Sequence, residues 1–181
     1  DIIDCLEDPD QALLTWMEQE EFLFRSLEEC LLGPRINNGF DSVDDFISFS
    51  LSVQNRRKSR AGYAFENHLE NILITHKLKF DRNKITEMNS RPDFIFPGIS
   101  EYHNNDFPTI NLYMLAVKRT CKDRWRQVLA EANRIKQKHL ITLETGISIT
   151  QTKQMKSKEL QLVVPIPLQQ TYHPDQQSYL I

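Results

Sequence analysis

The chain has 181 residues, of which 40% are hydrophobic and 26% are charged, and its formal net charge is −3. These totals suit one globular domain with a sizeable core; they exclude extended disorder and a uniformly basic nucleic-acid coat, while a locally basic cleft stays compatible with them. No apolar run reaches transmembrane length and no basic-then-apolar leader is present, so we expect no membrane partner.

Residues 1–50 predict a helical N-terminal region. Asp8 can cap a first helix that has a proline at its first position, and the pair Gly33-Pro34 predicts the end of this helix. A second helix is predicted to follow Ser42 through FISFSLSV. It is expected to end at the basic segment QNRRKSR, residues 54–60, which would then be an interhelical turn.

The segment AGYAFENHLENILITHKL predicts an amphipathic helix, because its apolar side chains recur at helical spacing and Glu66 lies one position off them. The apolar positions are Phe65, Leu69, Ile72 and Leu73. Short strands are predicted at LKF, residues 78–80, and at DFIFP, residues 93–97. Pro97 and Gly98 end that second run.

The rest of the chain alternates strand and helix patterns. INLYMLAVK, residues 110–118, is apolar enough for a central strand buried on both faces. RWRQVLAEANRI, residues 124–135, predicts a helix; two β segments follow, HLITLET and LQLVVPI, with a short helix near ITQTKQMKSK between them. The predicted fold class is therefore α/β (α+β), a mixed sheet flanked by helices.

The cysteines indicate neither a zinc site nor a disulfide framework. Cys5, Cys30 and Cys121 are widely spaced, and the five histidines include no HxxxH pair. A reducing cytoplasm is therefore the expected setting. Cys121 is expected to pack in the interior, because no base motif accompanies it.

Two charged residues stand at the ends of neighbouring predicted strands. Asp93 opens DFIFP just after Pro92, and Lys118 ends INLYMLAVK. If these strands are adjacent, the carboxylate and the ammonium meet at one edge of the sheet. Hydrolysis of a phosphodiester needs such a set, in which carboxylates hold Mg²⁺ and a lysine orients or deprotonates the attacking water.

This pattern, PD followed by a strand ending in xxK, resembles the signature of the PD-(D/E)xK nucleases. The usual second acid would stand at position 116, where this chain has Ala116. Glu131, thirteen residues after Lys118 at the rim of the next predicted helix, can replace it, as in the restriction endonucleases with the pattern K-x12-E.

Three segments are similar in sequence to the catalytic domain of EcoRII-type type II restriction endonucleases: RAGYAFENHLE, RPDFIFPG and AVKRTCKDRWRQVLAEA. The resemblance extends over about Ser52 to Pro165. The resemblance implies a restriction-endonuclease-like fold and one catalytic domain over 1–181, with a nuclease core at 52–165. It also implies a Mg²⁺-dependent bacterial or archaeal homodimer that cleaves double-stranded DNA at CCWGG-like or CCNGG-like sites and flips the central base pair. The chain can be part of a longer protein with a regulatory domain before Asp1.

By the same resemblance, Asp93, Lys118 and Glu131 form the catalytic set, with the two acids as metal ligands and Glu66 as a supporting acid. The segment Lys122, Asp123 and Arg124 matches the base-reading motif of the family. Lys and Arg donate to guanine, and Asp accepts from cytosine N4. A role in contacting DNA phosphates is also expected for three arginines of QNRRKSR, namely Arg56, Arg57 and Arg60. Three residues of the N-terminal region are candidates to hold flipped bases: Trp16, Phe22 and Arg25.

Each residue also has a simpler interpretation. Asp93 alone could begin a strand, Lys118 could extend into solvent, and Glu66 or Glu131 could be a solvated helix acid. Segment 122–124 could be a charged loop. Three alternatives stay open. A structure-selective repair or junction nuclease would cut by DNA structure and not by sequence, and a DNA-binding module without catalysis would give no Mg²⁺-dependent product. A structural interaction domain would show binding that is insensitive to salt.

Overall fold

The computed structural model describes residues 4–181, except for the side chain of Asp123. Five strands form one mixed sheet in the order β1-β2-β3-β4-β5. The first three strands are antiparallel neighbours, whereas β3, β4 and β5 are parallel. The strands are β1 (Asp81–Arg82), β2 (Phe94–Phe96), β3 (Tyr113–Val117), β4 (Lys138–Ile141) and β5 (Leu160–Val163).

Helices flank this sheet, as the sequence predicts. They are α1 (Pro9–Asn37), α2 (Val43–Thr75), α3 (Ile99–His103), α4 (Trp125–Val128), α5 (Ile149–Ser157), α6 (Ile166–Gln169) and α7 (Pro174–Gln177). Short 3₁₀ turns occur at Glu87–Asn89, Thr109–Asn111 and Lys122–Arg124. Among the described residues, no helix combines the length and apolar character that crossing a bilayer requires.

The side chains of β3 alternate between two cores. Met114 and Ala116 face a core that includes residues of α4 and α5, whereas Leu115 and Val117 face a core built with α1 and α2. Helices therefore cover both faces of the sheet, and β3 is the central strand, as predicted. The strand predicted at LKF was misplaced, because β1 begins only at Asp81.

Helix α1 begins where the sequence predicts and ends later. Asp8 Oδ1 accepts a hydrogen bond from Gln11 N at 2.9 Å, which caps the helix. The predicted end at Gly33-Pro34 was wrong, because the helix continues to Asn37 with Pro34 inside it. Proline removes one donor from the last turns, while its own carbonyl still accepts from Asn38 N at 3.0 Å.

Helix α2 joins what the sequence divides into two helices. It runs for 33 residues without interruption, so QNRRKSR lies inside it and the predicted interhelical turn was wrong. Contacts with α1 account for the difference. Arg57 and Arg60 pair with acids of that helix, and these partners lie 29 to 40 residues away in sequence. The amphipathic face is as predicted, since Phe65, Leu69 and Leu73 are buried.

Candidate active site

The strand register brings Asp93 and Lys118 together. Phe94 of β2 lies opposite Leu115 of β3, so the residue before β2 and the residue after β3 reach the same end of the strand pair. Lys118 Nζ lies 2.8 Å from Asp93 Oδ2, and Val117 N donates to the same oxygen at 2.6 Å. Asp93 is buried, at 8% exposure, so the lysine provides the countercharge that burial of a carboxylate requires.

Glu131 lies near this pair, although not on a helix. Helix α4 ends at Val128, so the longer helix predicted over residues 124–135 was wrong. Ala132 adopts a φ of 48°, which is incompatible with a continued right-handed helix. Burial raises the pKa of Glu131 to about 7, with Lys118 opposing the shift, Asp93 adding to it and Lys138 opposing it. The three predicted catalytic residues therefore act electrostatically on one another.

A polar network fixes the backbone that follows Glu131. The Arg134 guanidinium donates to the carbonyls of Tyr102, Asn104 and Phe107, the last two at 3.0 and 3.1 Å. The Tyr102 hydroxyl donates to the Glu87 carboxylate at 2.6 Å, and that carboxylate also accepts from the backbone of the turn. A turn without regular secondary structure is thereby held in place by several hydrogen bonds, as a functional side chain would require.

Lys138 is a buried charge near the site that sequence reasoning missed. It opens β4 at 6% exposure, and its Nζ donates to Ile135 O at 2.7 Å. Burial lowers its pKa, whereas the charges of Glu87 and Glu131 raise it. A lysine just before the apolar segment HLIT was the available signal, but that segment alone does not indicate that the lysine faces inward.

The residues that could hold a cation are the two carboxylates. Oε2 of Glu131 is buried without a hydrogen-bond partner among the described residues, and such an orphaned oxygen is suited to accept a cation. No cluster of three or more His, Cys, Asp or Glu side chains converges within the described part of the chain. Two carboxylates nevertheless fit Mg²⁺, which keeps several waters and commonly takes only one or two protein ligands.

Glu66 is engaged elsewhere in this structure. Its Oε2 accepts from Arg82 at 2.8 Å, and the same guanidinium contacts Glu70 at 2.6 Å. Arg82 also lies over the Phe94 ring, with its guanidinium carbon 5.9 Å from the ring centroid. Glu66 is therefore attached to the strand that begins just after Asp93, through an arginine and not by direct contact.

The segment Lys122–Arg124 forms a 3₁₀ turn four residues after Lys118. Lys122 and Arg124 are exposed, while the side chain of Asp123 lies outside the described residues. Cys121, just before this turn, is fully buried, and burial raises the pKa of its thiol to about 12. The expectation that Cys121 packs in the interior agrees with that burial.

The arginines of QNRRKSR differ in their surroundings. Arg57 donates from Nε and Nη2 to Glu28, and Arg60 pairs with Glu20 and Glu21. Arg56 is exposed. Of the three candidates for holding flipped bases, Trp16 is half-buried with its ring 5.7 Å from that of His68, Phe22 is 71% exposed and Arg25 pairs with Glu21 at 2.7 Å.

Comparison with curated proteins indicates a family of restriction enzymes. The chain is 49% identical over 166 residues to the type II restriction enzyme EcoRII of Escherichia coli, covering 91% of this chain and 41% of that protein. It is 28% identical over 153 residues to the type II restriction enzyme SsoII of Shigella sonnei, covering 72% of this chain and 48% of that protein. The chain thus spans less than half the length of either relative.

Solved structures share the fold. A complex of metal-depleted Ecl18kI with uncleaved, modified DNA superposes with a TM-score of 0.74 at 22% identity, covering 92% of this chain and 64% of that one. A complex of the restriction endonuclease PspGI with substrate DNA gives 0.71 at 18% identity, covering 87% and 64%. The mixed sheet is thus a restriction-endonuclease fold, as predicted. Residues 24–181 match the family model described as EcoRII C terminal, and the chain therefore belongs to the EcoRII C-terminal family.

Proposed function

We propose that this chain is the nuclease module of a type II restriction endonuclease and hydrolyses phosphodiester bonds in double-stranded DNA. The observation that supports this most is the ion pair of Asp93 and Lys118 at one end of β2 and β3, close enough to Glu131 for both charges to influence its pKa. An ammonium and two nearby carboxylates are the groups that metal-assisted phosphodiester hydrolysis uses. Membership of the family supports the same reaction.

In this proposal Lys118 contacts the attacking water and the scissile phosphate. Its ammonium is oriented by Asp93 at 2.8 Å, so the lysine approaches the phosphate from a fixed direction. The backbone of Val117 holds the same carboxylate oxygen and limits movement of the pair. Such preorganisation stabilises the charge that develops on the phosphate without a cost of reorganisation during reaction.

Asp93 and Glu131 would hold Mg²⁺. When bound, this ion polarises the phosphate and lowers the pKa of the water that attacks it. Glu131 contributes an oxygen that the protein itself leaves without a partner. Glu66 is proposed as a supporting acid that acts through Arg82, since its carboxylate is bound to that guanidinium.

Sequence recognition is assigned to Lys122, Asp123 and Arg124. Lys122 and Arg124 are exposed beside the catalytic strand end, where they can donate to guanine O6 and N7. The proposed site is CCWGG-like or CCNGG-like, with flipping of the central pair. Arg56 is the favoured phosphate contact of QNRRKSR, because Arg57 and Arg60 are already paired with α1.

A homodimer is proposed, since two copies of one subunit suit a symmetric site cut on both strands. Exposed apolar side chains on α1 and α2 support it, because large apolar side chains left in solvent are candidates for burial in a protein interface. These side chains are Phe22, Leu23, Leu27, Leu31, Val43, Phe46 and Ile47, each at least 46% exposed.

Plasmid cleavage tests the proposal. The chain is incubated with plasmid DNA with and without Mg²⁺ beside Lys118→Ala, and the cut ends are sequenced. Discrete Mg²⁺-dependent fragments that disappear in the variant are expected. Retardation of uncut plasmid would instead identify a binding module, and cutting set by DNA shape would identify a structure-selective nuclease. If the chain neither cuts nor retards the plasmid, the proposal is wrong.

A further inference from the structure

The backbone that carries the proposed base-reading turn is conformationally strained. Lys122 adopts a φ of 29°, in a region that residues with a side chain seldom occupy. Between the end of β3 and this turn, residues 118–121 form no strand or helix. A strained conformation persists only where surrounding groups determine it, so contacts from elsewhere must hold this loop.

Glu144 provides the main contact. Its Oε2 accepts a short hydrogen bond from Cys121 N and a longer one, at 3.4 Å, from Lys122 N. Among the described residues Glu144 forms no ion pair, and its carboxylate instead accepts from these two backbone amides. Hydrogen bonds to an ionised acceptor are stronger than neutral ones, and a carboxylate is therefore well suited to hold the turn.

Glu144 is itself held in position by its own backbone. Its N–H donates to Thr142 Oγ1 at 3.2 Å, and its carbonyl accepts from the Tyr172 hydroxyl at 2.5 Å. Tyr172 is buried, at 3% exposure, so this anchor belongs to the core. The carboxylate thus projects from a segment whose backbone is hydrogen-bonded to the core.

The same segment also fixes the chain next to the catalytic lysine. Lys118 N donates to Ile141 O at 3.0 Å, and Thr142 Oγ1 donates to Arg119 O at 3.3 Å. Residues 141–144, at the end of β4 and just after it, therefore hold residues 118–122 in place by hydrogen bonds. These residues connect the end of β3 to the proposed base-reading turn. One segment positions both functions.

We infer that Glu144 is a positioning residue for DNA sequence recognition: it fixes the backbone of Cys121 and Lys122 so that the turn presents the side chains of Lys122 and Arg124 to base edges. This inference rests on the proposed function. Hydrogen bonds to guanine O6 and N7 require precise placement of the donor side chains. Displacement of the turn would therefore weaken discrimination between sites more than general affinity for DNA.

Binding measurements on the full chain test this inference. Dissociation constants are measured without divalent cations for a duplex with one CCTGG site and for the same duplex with an outer G·C pair replaced by A·T. The discrimination ratio is the dissociation constant for the altered duplex divided by that for the CCTGG duplex. Glu144→Ala is expected to lower this ratio by about 10-fold to 100-fold, mainly through weaker binding to the CCTGG duplex. Glu144→Gln, which keeps an acceptor oxygen, should stay within about 3-fold of the unmodified chain.

Two further variants separate positioning from folding. Glu144→Asp keeps the charge but withdraws the carboxylate by one methylene, so it should lower the ratio even if Glu144→Ala fails to fold. Asp106→Ala removes a negative charge from an exposed loop and should leave the ratio unchanged. In a chain that already carries Lys122→Ala and Arg124→Ala, Glu144→Ala should cause no additional loss, because it acts through those residues.

The outcomes distinguish the two hypotheses. If the unmodified chain binds both duplexes equally, the proposed site preference fails. If it discriminates between them and Glu144→Asp does too, the proposed function survives and the role of Glu144 is wrong. An additive loss in the combined variant would also overturn the positioning role.

Discussion

Lys118 and Asp93 form an ion pair of 2.8 Å across the antiparallel strands β2 and β3, with 13% and 12% of their side chains exposed. Neither charge is compensated by bulk solvent to the extent that a surface pair would be. Each residue therefore depends on the other for charge compensation and for a fixed side-chain orientation, which the proposed catalytic role would use.

Loss of either charge should slow cleavage strongly. Asp93→Asn and Lys118→Ala are each expected to lower the single-turnover cleavage rate by at least about 100-fold, because each removes a group proposed to contact metal or phosphate. Lys79→Ala is the matched control, since Lys79 also pairs with a carboxylate, that of Glu101, but is 70% exposed. It should keep its cleavage rate within about 2-fold. Full activity in Asp93→Asn would refute the assignment.

Stability should fall with rising pH through Glu131. Its pKa is about 7 in the folded chain and 4.5 in the unfolded reference, because burial disfavours the charged form. Between these values the folded state binds the proton and the unfolded state releases it, so the free energy of unfolding decreases as pH rises. The full effect is roughly 3 kcal/mol, from the separation of the two values.

Urea unfolding in EDTA checks this dependence, with Glu131→Gln measured in parallel. The difference in unfolding free energy between the two proteins should change across the window from about pH 4.5 to about pH 7. Above that window, added MgCl₂ should stabilise the unmodified chain more than the variant. A difference that is constant with pH would show that Glu131 is not held in a buried environment.

Removal of Arg57 should lower stability, whereas removal of Arg56 should weaken the salt dependence of DNA binding. Arg57 neutralises Glu28, which is 7% exposed, so Arg57→Ala leaves a buried carboxylate unpaired and should cost about 2 kcal/mol of unfolding free energy. Arg56→Ala should change stability by less than about 0.5 kcal/mol. The salt dependence of DNA binding should instead lose about one unit of slope in that variant.

The double variant Glu28→Ala with Arg57→Ala is the control for this pair. Removing both charges should recover part of the stability that Arg57→Ala loses, because no unpaired charge remains buried. Denaturation and salt-dependent binding are measured on the same preparations. Equal losses of stability in Arg56→Ala and Arg57→Ala would contradict the assignment of separate roles.

The contact between Asp93 and Lys118 was predictable from sequence because it depends on local patterns. A strand start at Asp93 and a strand end at Lys118 follow from apolar runs and punctuating residues. The continuity of α2 was not predictable, since Arg57 finds Glu28 only after the two helices pack. Likewise, the turn at Glu131 depends on contacts with Tyr102, which is 32 residues from Arg134 in sequence.

Arg134 should affect the rate of cleavage more than the binding of DNA. Its guanidinium holds the backbone after Glu131 through the carbonyls of Tyr102, Asn104 and Phe107. Arg134→Ala removes these contacts and lets Glu131 shift; displacements of about 1 Å commonly cost up to about 100-fold in rate. We expect a fall of about 10-fold or more in single-turnover rate with dissociation constants little changed.

Arg134→Lys and Lys136→Ala sharpen this prediction. Lysine cannot reproduce the planar fork that reaches several carbonyls, so Arg134→Lys should restore only part of the rate. Lys136 is exposed two residues further along, and its removal should alter neither rate nor binding by more than about 2-fold. Rate and dissociation constant must be compared within each variant. Weaker DNA binding at an unchanged rate in Arg134→Ala would mean that Arg134 contacts DNA, not that it positions Glu131.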